Sequence, residues 1–554
     1  MSPNMSAEMS AFALDVMNHK YAHTKKDGTK ETWKEIAQRV TKNVMHAVDG
    51  SKSLVDAVQR TIEQRQFMPG GRYLYASGRP YHQTQNCLLL RATDSREGWS
   101  ELMHNASMAL MTGAGIGVDY TEIRAEGKPV RKTGGFATGP LALMQMVNEA
   151  GRGIMQGGSR RSAIWAWLNW KHPDCHKFIQ AKNWIPEVRE LKLKDFNFPA
   201  TLDGTNISVQ LDDEFFKAYN DEKHSQHTLA HGIYWAVVER MLKTGEPGFS
   251  VDTSKNAKET LRNACTEVCS TDDSDICNLG SINLARIETL DQFKEVLECA
   301  TAFLLAGTVY SDVPYSKVDM MRTKNRRLGL GLMGVHEWLL LRGKPYGKDD
   351  ELGTYLEAYA TSTEIAKKYA DEWELSAPIK TRAIAPTGTI GIVAETTTGI
   401  EPIFCAAYKR RYLKGSTWNW QYVLDPTAKR LVEHGVDPDK IEDAYVLSES
   451  FENVERRLAF QSWVQTFVDH GISSTINLPS WGSAMNNTGT VQEFGTRLIK
   501  HLPKLRGITT YPDGARGGQP ITAVSYKTAS KHVGEIFVES TDVCDLTRGG
   551  SCGA

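Results

Sequence analysis

Three thiols stand in surroundings that suit radical or nucleophilic chemistry. Cys265 is flanked, two residues away on each side, by an amide and a carboxylate in Asn263-Ala264-Cys265-Thr266-Glu267. Cys277 opens the run Cys277-Asn278-Leu279-Gly280-Ser281-Ile282-Asn283-Leu284, and Cys87 follows Asn86. On an extended backbone, side chains two residues apart share a face, which would set Asn263, Cys265 and Glu267 side by side. Such a group offers a hydrogen-atom or nucleophile site, a hydrogen-bonding amide and a general base in one small volume.

The remaining cysteines divide by context. Cys265, Cys269 and Cys277 are four and eight residues apart without a nearby histidine, which matches no common zinc pattern, so no metal ligands are expected. Cys175, Cys299 and Cys405 lie in apolar or helical contexts and read as small buried hydrophobes. Cys544 and Cys552 sit in a Ser-, Thr- and Gly-rich end. They read either as incidental thiols or as a dithiol that carries reducing equivalents to a buried disulfide.

Three further segments could hold phosphate. Ala385-Pro386-Thr387-Gly388-Thr389-Ile390 would expose backbone N–H groups where small residues enter a helix; the plainer alternative is a turn with a threonine N-cap. Gln156-Gly-Gly-Ser-Arg160-Arg161-Ser162 puts two guanidinium forks on a glycine-rich loop, or is simply a solvated basic loop. Gly113-Ala-Gly115-Ile-Gly117 lacks the third glycine of a dinucleotide fingerprint and follows a helical segment, so it reads as a turn between helix and strand.

These groups must be positioned by a chain of 554 residues with 41 % hydrophobic and 24 % charged residues, the composition of an ordinary globular protein with room for a large core. A net charge of -1 steers it toward neither nucleic acid nor an anionic membrane. No apolar run approaches the roughly 18 residues of a membrane helix, and the N-terminus lacks a secretory pattern. Nine cysteines, an odd number, make no disulfide scaffold and point to a reducing cytoplasm, the host's if the chain is viral. Apolar residues at helical spacing predict helices at 31–66, 97–112, 140–151, 228–243, 290–306, 350–374, 454–469 and 489–501. Strand-like runs fall at 163–168, 207–210, 281–285, 472–478 and 508–511, an alternation that predicts an α/β fold with much parallel pairing. The pattern fades over 185–206, which predicts a loop, and the end from 521 reads as a flexible tail.

Taken together, these motifs resemble those of the ribonucleotide reductase catalytic subunit. The match runs in the family's order over about residues 60–520. It rests on Phe67-Met-Pro-Gly-Gly-Arg72, Asn86-Cys87, Gly113 to Tyr120, Thr133-Gly-Gly135, Gly157 to Ala163 with Trp170-Lys-His-Pro173, Asn206-Ile-Ser-Val209, Asn263 to Glu267, Cys277 to Leu284, Asn325-Arg-Arg-Leu-Gly-Leu-Gly331, Pro386 to Ile390 and Gly399-Ile-Glu-Pro402.

The resemblance implies a ten-stranded α/β barrel at 61–520 with a finger loop through its centre, a helical region at 1–60 without a complete ATP-binding cone, and a redox-active tail at 521–554. It implies a thiyl radical on Cys265, shielded from water at the fingertip. Glu267 would act as base for the 3′-hydroxyl, and Asn263 would hold the ribose hydroxyls and Glu267. Cys87 and Cys277 would form the disulfide as the 2′-hydroxyl leaves as water. Cys544 and Cys552 would regenerate the pair, served by thioredoxin or glutaredoxin. Asn86, Pro386, Thr387, Gly388, Thr389 and Ile390 would bind the substrate, the loop taking its phosphates.

The family makes its thiyl in three ways. The tail lacks the Arg-x-x-Gly-Tyr of the glycyl-radical type. The type served by a separate ferritin-like radical subunit usually carries two adjacent tyrosines, whereas here Tyr511 follows Thr510. The resemblance therefore favours adenosylcobalamin, with Tyr511 as a radical relay under the alternative. It also implies a homodimer with a deoxynucleotide effector bound near 97–112, 152–162 and 185–206.

Overall fold

The architecture follows from five short parallel strands that hand over to four more, and one extended segment, running the other way. The computed structural model describes residues 9–131, 133–156, 160–195, 198–253, 259–414, 417–515 and 521–538. Ten strands share the main sheet: β1 (Phe67–Pro69), β2 (Cys87–Arg91), β3 (Gly115–Asp119), β4 (Ile164–Asn169), β5 (Thr205–Asp212), β6 (Gly248–Asp252), β7 (Asp275–Asn283), β8 (Leu328–Met333), β9 (Thr475–Leu478) and β10 (Gly507–Pro512). β2 to β6 pair in parallel in chain order. β7 pairs in parallel with β8, and β9 with β10. The two sets meet antiparallel at β7–β2 and at β6–β10.

The gap between β8 and β9 is filled by an extended segment rather than by a regular strand. Ala383 N–H donates to Leu330 O at 3.0 Å, Ile384 N–H to Gly471 O at 3.1 Å, and Ser473 N–H to Ile384 O at 2.9 Å. Both resulting bridges, Leu330 with Arg382 and Ile384 with Ile472, are parallel. With this segment, β2 to β10 close into a ring of two five-stranded halves, while β1 lies along the edge of β7.

Each half buries its outer face under helices. The β2–β6 half packs Leu88, Ile116, Ala166 and Val209 against Leu143, Phe178 and Tyr234. The other half packs Ile282, Leu330 and Leu332 against Phe303, Leu304 and Tyr359. The predicted helices are present: 31–66 divides into α2 (Trp33–His46) and α3 (Lys52–Glu63), preceded by α1 (Ala11–Lys20). α2 starts at a reciprocal cap between Thr32 and Glu35, the arrangement that satisfies two orphan N–H groups at once. Among the described residues, no helix is long and apolar enough to cross a membrane.

Two sequence expectations are corrected. Within 185–206 the chain forms a helix, Pro186–Lys194, with proline at its first turn and acidic and basic ends matching the helix dipole. The segment expected to be a flexible tail from 521 instead begins with strand Ile521–Ala523, helix Tyr526–Lys531 and strand Ile536–Val538. These strands flank the hairpin Ala407–Lys414/Thr417–Leu424 as a four-stranded sheet, with Trp420 stacked on Phe537 at 4.3 Å. Cys544 and Cys552 lie outside the described residues.

Candidate active site

Inside the ring stands a hairpin of Leu261–Arg262 and Cys269–Ser270, and its tip carries Asn263, Cys265 and Glu267. The expected extended run is instead a tight turn: Thr266 takes φ +70°, Thr266 N–H donates to Asn263 O at 3.0 Å, and Val268 N–H donates to Asn263 Oδ1 at 3.0 Å. The three side chains are grouped by turn geometry, not by strand alternation.

Barrel walls grip this finger from two sides. A Cβ on Gly117 of β3 would lie 1.9 Å from Arg262 O, and one on Gly115 would lie 3.1 Å from the Ala264 Cβ. On the far side Gly471 N–H donates to Glu267 O at 2.7 Å. The glycine-rich run at 113–117 thus has a tertiary cause. Gly113 caps helix Arg96–Thr112 at φ +97°, as expected of a helix-to-strand turn, and the next two glycines make room for the finger.

The base of the finger rests on buried charge. Arg262 is fully buried, pairs with Asp252, and donates to Val251 O at 3.1 Å and Glu259 O at 3.0 Å. Arg327 bridges Asp275 at 2.6 Å and Glu259 at 3.0 Å, and Asn325 and Ser270 also donate to the Asp275 carboxylate. These partners explain the Asn325-Arg-Arg motif structurally. His470, not singled out from the sequence, accepts the Cys269 N–H at 3.1 Å. Burial first, then Lys380, Arg327, Arg506 and Arg262, hold it well below the usual histidine range, so it is neutral and able to accept.

Cys87 and Cys277 are direct cross-strand partners at the antiparallel junction of β2 and β7. Opposed residues of such a pair have Cβ atoms roughly 5 Å apart. Both are buried free thiols. Burial raises the pKa of each well above the usual thiol value. The Glu267, Cys277 and Cys265 groups push Cys87 further up, and Asp275 does the same for Cys277. Both therefore hold their protons at neutral pH. The Asn263 side chain lies against Cys87 and works in the opposite sense.

Glu267 is fully buried. Burial pushes its carboxyl up to about 7, against its own backbone N–H and the nearby Asn263 side chain, yet neither oxygen completes a hydrogen bond of ordinary geometry. An unsatisfied carboxyl poised near neutrality is suited to proton transfer.

One cleft collects Asn86, Cys87, Asn263, Cys265, Glu267 and the whole 385–390 loop. Cys277 lies beneath it, against Cys87. Within the loop, Pro386, Gly388 and Thr389 face the opening, whereas Thr387 is buried and its Oγ1 accepts the Gly399 N–H at 2.9 Å. The Thr387 hydroxyl thus braces the Gly399-Ile-Glu-Pro402 turn. Glu401 of that turn is held by Arg457 and accepts the Thr475 N–H, each at 2.7 Å.

Cys265 is exposed rather than shielded, and a second cavity reaches it as well. That cavity is lined by Thr266, Ser473, Thr475, Thr509 and Tyr511 among others, and shares Ala264, Cys265 and Pro386 with the first. Thr510, beside Tyr511, is buried with its hydroxyl donating to Met241 O at 2.9 Å. Cys175, Cys299 and Cys405 are buried as expected. Among the described residues, no group of three His, Cys, Asp or Glu side chains is arranged to hold a metal ion.

The profile of the ribonucleotide reductase barrel domain matches residues 85–232, 222–374 and 379–500. A vitamin B12-dependent ribonucleoside-diphosphate reductase of Thermoplasma acidophilum is 26 % identical over 96 % of this chain and 74 % of its own length. A protein of the same description from Mycobacterium tuberculosis is 26 % identical over 94 % of this chain and 82 % of its own. The ribonucleoside-diphosphate reductase large subunit of Plasmodium falciparum is 25 % identical over 61 % of this chain and 48 % of its own. With most of the chain covered by the family profile, and the finger and thiol pair in one cleft, the chain belongs to the ribonucleotide reductase barrel-domain family.

Proposed function

We propose that the chain reduces ribonucleoside diphosphates to 2′-deoxyribonucleoside diphosphates through a thiyl radical on Cys265, with adenosylcobalamin as the radical source. The observation that carries this reading is the placement of the Cys87–Cys277 pair beside Cys265 and Glu267 in one cleft. The second cavity supports the cofactor's role: it too reaches Cys265, through a lining that the substrate cleft mostly does not share, Ser473, Thr475 and Thr509 among it. Thr266, Ser473, Thr475 and Thr509 would line the cofactor there. When bound, adenosylcobalamin supplies the oxidising equivalent that removes a hydrogen atom from Cys265.

The chain's own residues do the rest. Cys265 takes the substrate's 3′ hydrogen, and Glu267 accepts the 3′-hydroxyl proton. Cys87 and Cys277, held as thiols by burial, supply the two hydrogens that accompany loss of the 2′-hydroxyl as water. They end as a disulfide, Glu267 returns its proton to the 3′ oxygen, and the 3′ hydrogen returns from Cys265. Cys544 and Cys552 then exchange with that disulfide and pass the oxidation to thioredoxin or glutaredoxin in a reducing cytoplasm. The exposed Met111 and Met146, on the packed helices Arg96–Thr112 and Pro140–Gly153, suit a homodimer contact with a deoxynucleotide effector nearby.

Purified chain with cytidine diphosphate, dithiothreitol and adenosylcobalamin is expected to yield deoxycytidine diphosphate without a second protein. Product that appears only on addition of a ferritin-like subunit would overturn the cofactor assignment and place Tyr511 on a relay. With Glu267 as base, kcat/KM should rise about tenfold per pH unit below its pKa near 7 and level off above it. Glu267→Gln should remove that limb; a profile with the limb intact would assign it elsewhere. Cys544→Ser should stop after about one turnover with thioredoxin yet continue with dithiothreitol, which reaches the disulfide directly. Equal loss with both reductants would exclude a shuttle.

A further inference from the structure

One wall of the cleft comes from outside the barrel. α1 packs against helix Gly388–Ala394, the helix that the 385–390 loop enters. Two contacts fasten it there. Ser10 N–H, at the N-cap of α1, donates to Glu395 Oε1 at 3.1 Å. Glu395 pairs with the buried Arg65 at 3.1 Å, and Arg65 also donates to Val393 O at 3.4 Å.

Tyr21, the residue at the C-cap of α1, then turns into the cleft. Its carbonyl oxygen accepts from Arg39, a guanidinium that Glu31 holds at 2.8 Å. Its side chain is buried and lines the same cleft as Cys265, Thr387 and Gly388. The phenol oxygen lies 3.0 Å from the point where a Cβ of Gly71 would stand. Gly70 and Gly71 bring no side chain to this wall, so the Tyr21 hydroxyl fills the volume that a side chain at 71 would take.

We infer that Tyr21 is a substrate-binding residue, its hydroxyl donating a hydrogen bond to the phosphate group of the nucleotide. α1 is the strut that seats it beside the phosphate loop. This inference rests on the cleft being the nucleotide site. A phenol O–H is a suitable partner for a phosphate oxygen because it donates without adding charge to the reacting end of the cleft.

Tyr21→Phe removes the hydroxyl and keeps the ring. The variant should raise KM for cytidine diphosphate by about tenfold or more, with kcat changed by less than about twofold, because a bond kept from ground state to transition state acts on binding alone. By equilibrium dialysis it should weaken cytidine diphosphate and leave cytidine unchanged. In the Tyr21→Phe background, Gly71→Ser returns a hydroxyl to the vacated volume and should recover part of the lost affinity. An unchanged KM, equal weakening of cytidine, or a lowered melting temperature with unchanged affinity would each overturn the inference. If wild-type chain binds cytidine diphosphate but forms no deoxynucleotide, the reductase reading fails while the dialysis comparison still decides Tyr21.

Discussion

Cys265→Ser is expected to lower turnover by roughly 10⁴-fold or more, the scale reached when the reacting atom itself is removed. Affinity for cytidine diphosphate should stay within about twofold of wild type. The large effect follows from position. Of the three residues that line both cavities, Ala264, Cys265 and Pro386, Cys265 alone carries a side chain that yields a hydrogen atom readily, so it is the point at which a radical can pass from one to the other. The small effect on binding follows from the same geometry, since the phosphate loop and Asn86 belong to other elements. A serine hydroxyl fits the space but yields its hydrogen atom far less readily than a thiol. Retained turnover in Cys265→Ser would refute the thiyl assignment.

Gly117→Ala should cost about 10²-fold in kcat, although residue 117 carries no functional group. Its Cβ would stand 1.9 Å from Arg262 O, far inside any non-bonded contact, so the finger must move by about 1 Å or more. A displacement of that size at a reacting centre carries a penalty of about that magnitude. Overpacking should also lower stability by about 1–3 kcal/mol. Gly232→Ala is the control: it lies in helix His227–Thr244 with nothing within 4 Å of the added Cβ, and should leave turnover and stability near wild type. Wild-type kcat in Gly117→Ala, measured beside that control, would show that the finger is not held by this contact.

The helices were legible because their apolar residues recur at helical spacing and their ends carry caps, as in α2 with Thr32 and Glu35. The barrel strands were less so. β3 and β8 read Gly-Ile-Gly-Val-Asp and Leu-Gly-Leu-Gly-Leu-Met, and glycine weakens the strand signal. Those glycines answer to neighbours far away in sequence: Gly117 to Arg262, and Gly331 to Ala383 O at 2.8 Å. The finger reads as extended from its residues alone, since the positive φ of Thr266 has no signature in a threonine. The residues of the site were legible as types, through Asn263, Cys265 and Glu267. The register that sets Cys87 opposite Cys277 was not derivable from spacing and came only through the resemblance. Two of the supports leave no local signal: Arg262 and His470 look like ordinary polar residues until the fold buries them, whereas Arg327 shows only as part of the Asn325-Arg-Arg motif. Tyr21 was invisible for a further reason, because it reaches the cleft from a helix that precedes the barrel.

The central claim is that Cys87 and Cys277 are the immediate reductant of a reaction started at Cys265. It is tested most directly in a Cys544→Ser/Cys552→Ser chain, fully reduced and then freed of reductant, given adenosylcobalamin and cytidine diphosphate. Product should stop at about one deoxycytidine diphosphate per chain, and peptide mass spectrometry should find one new disulfide joining Cys87 to Cys277. Product formed without that disulfide, or with a disulfide between any other pair, would contradict the account.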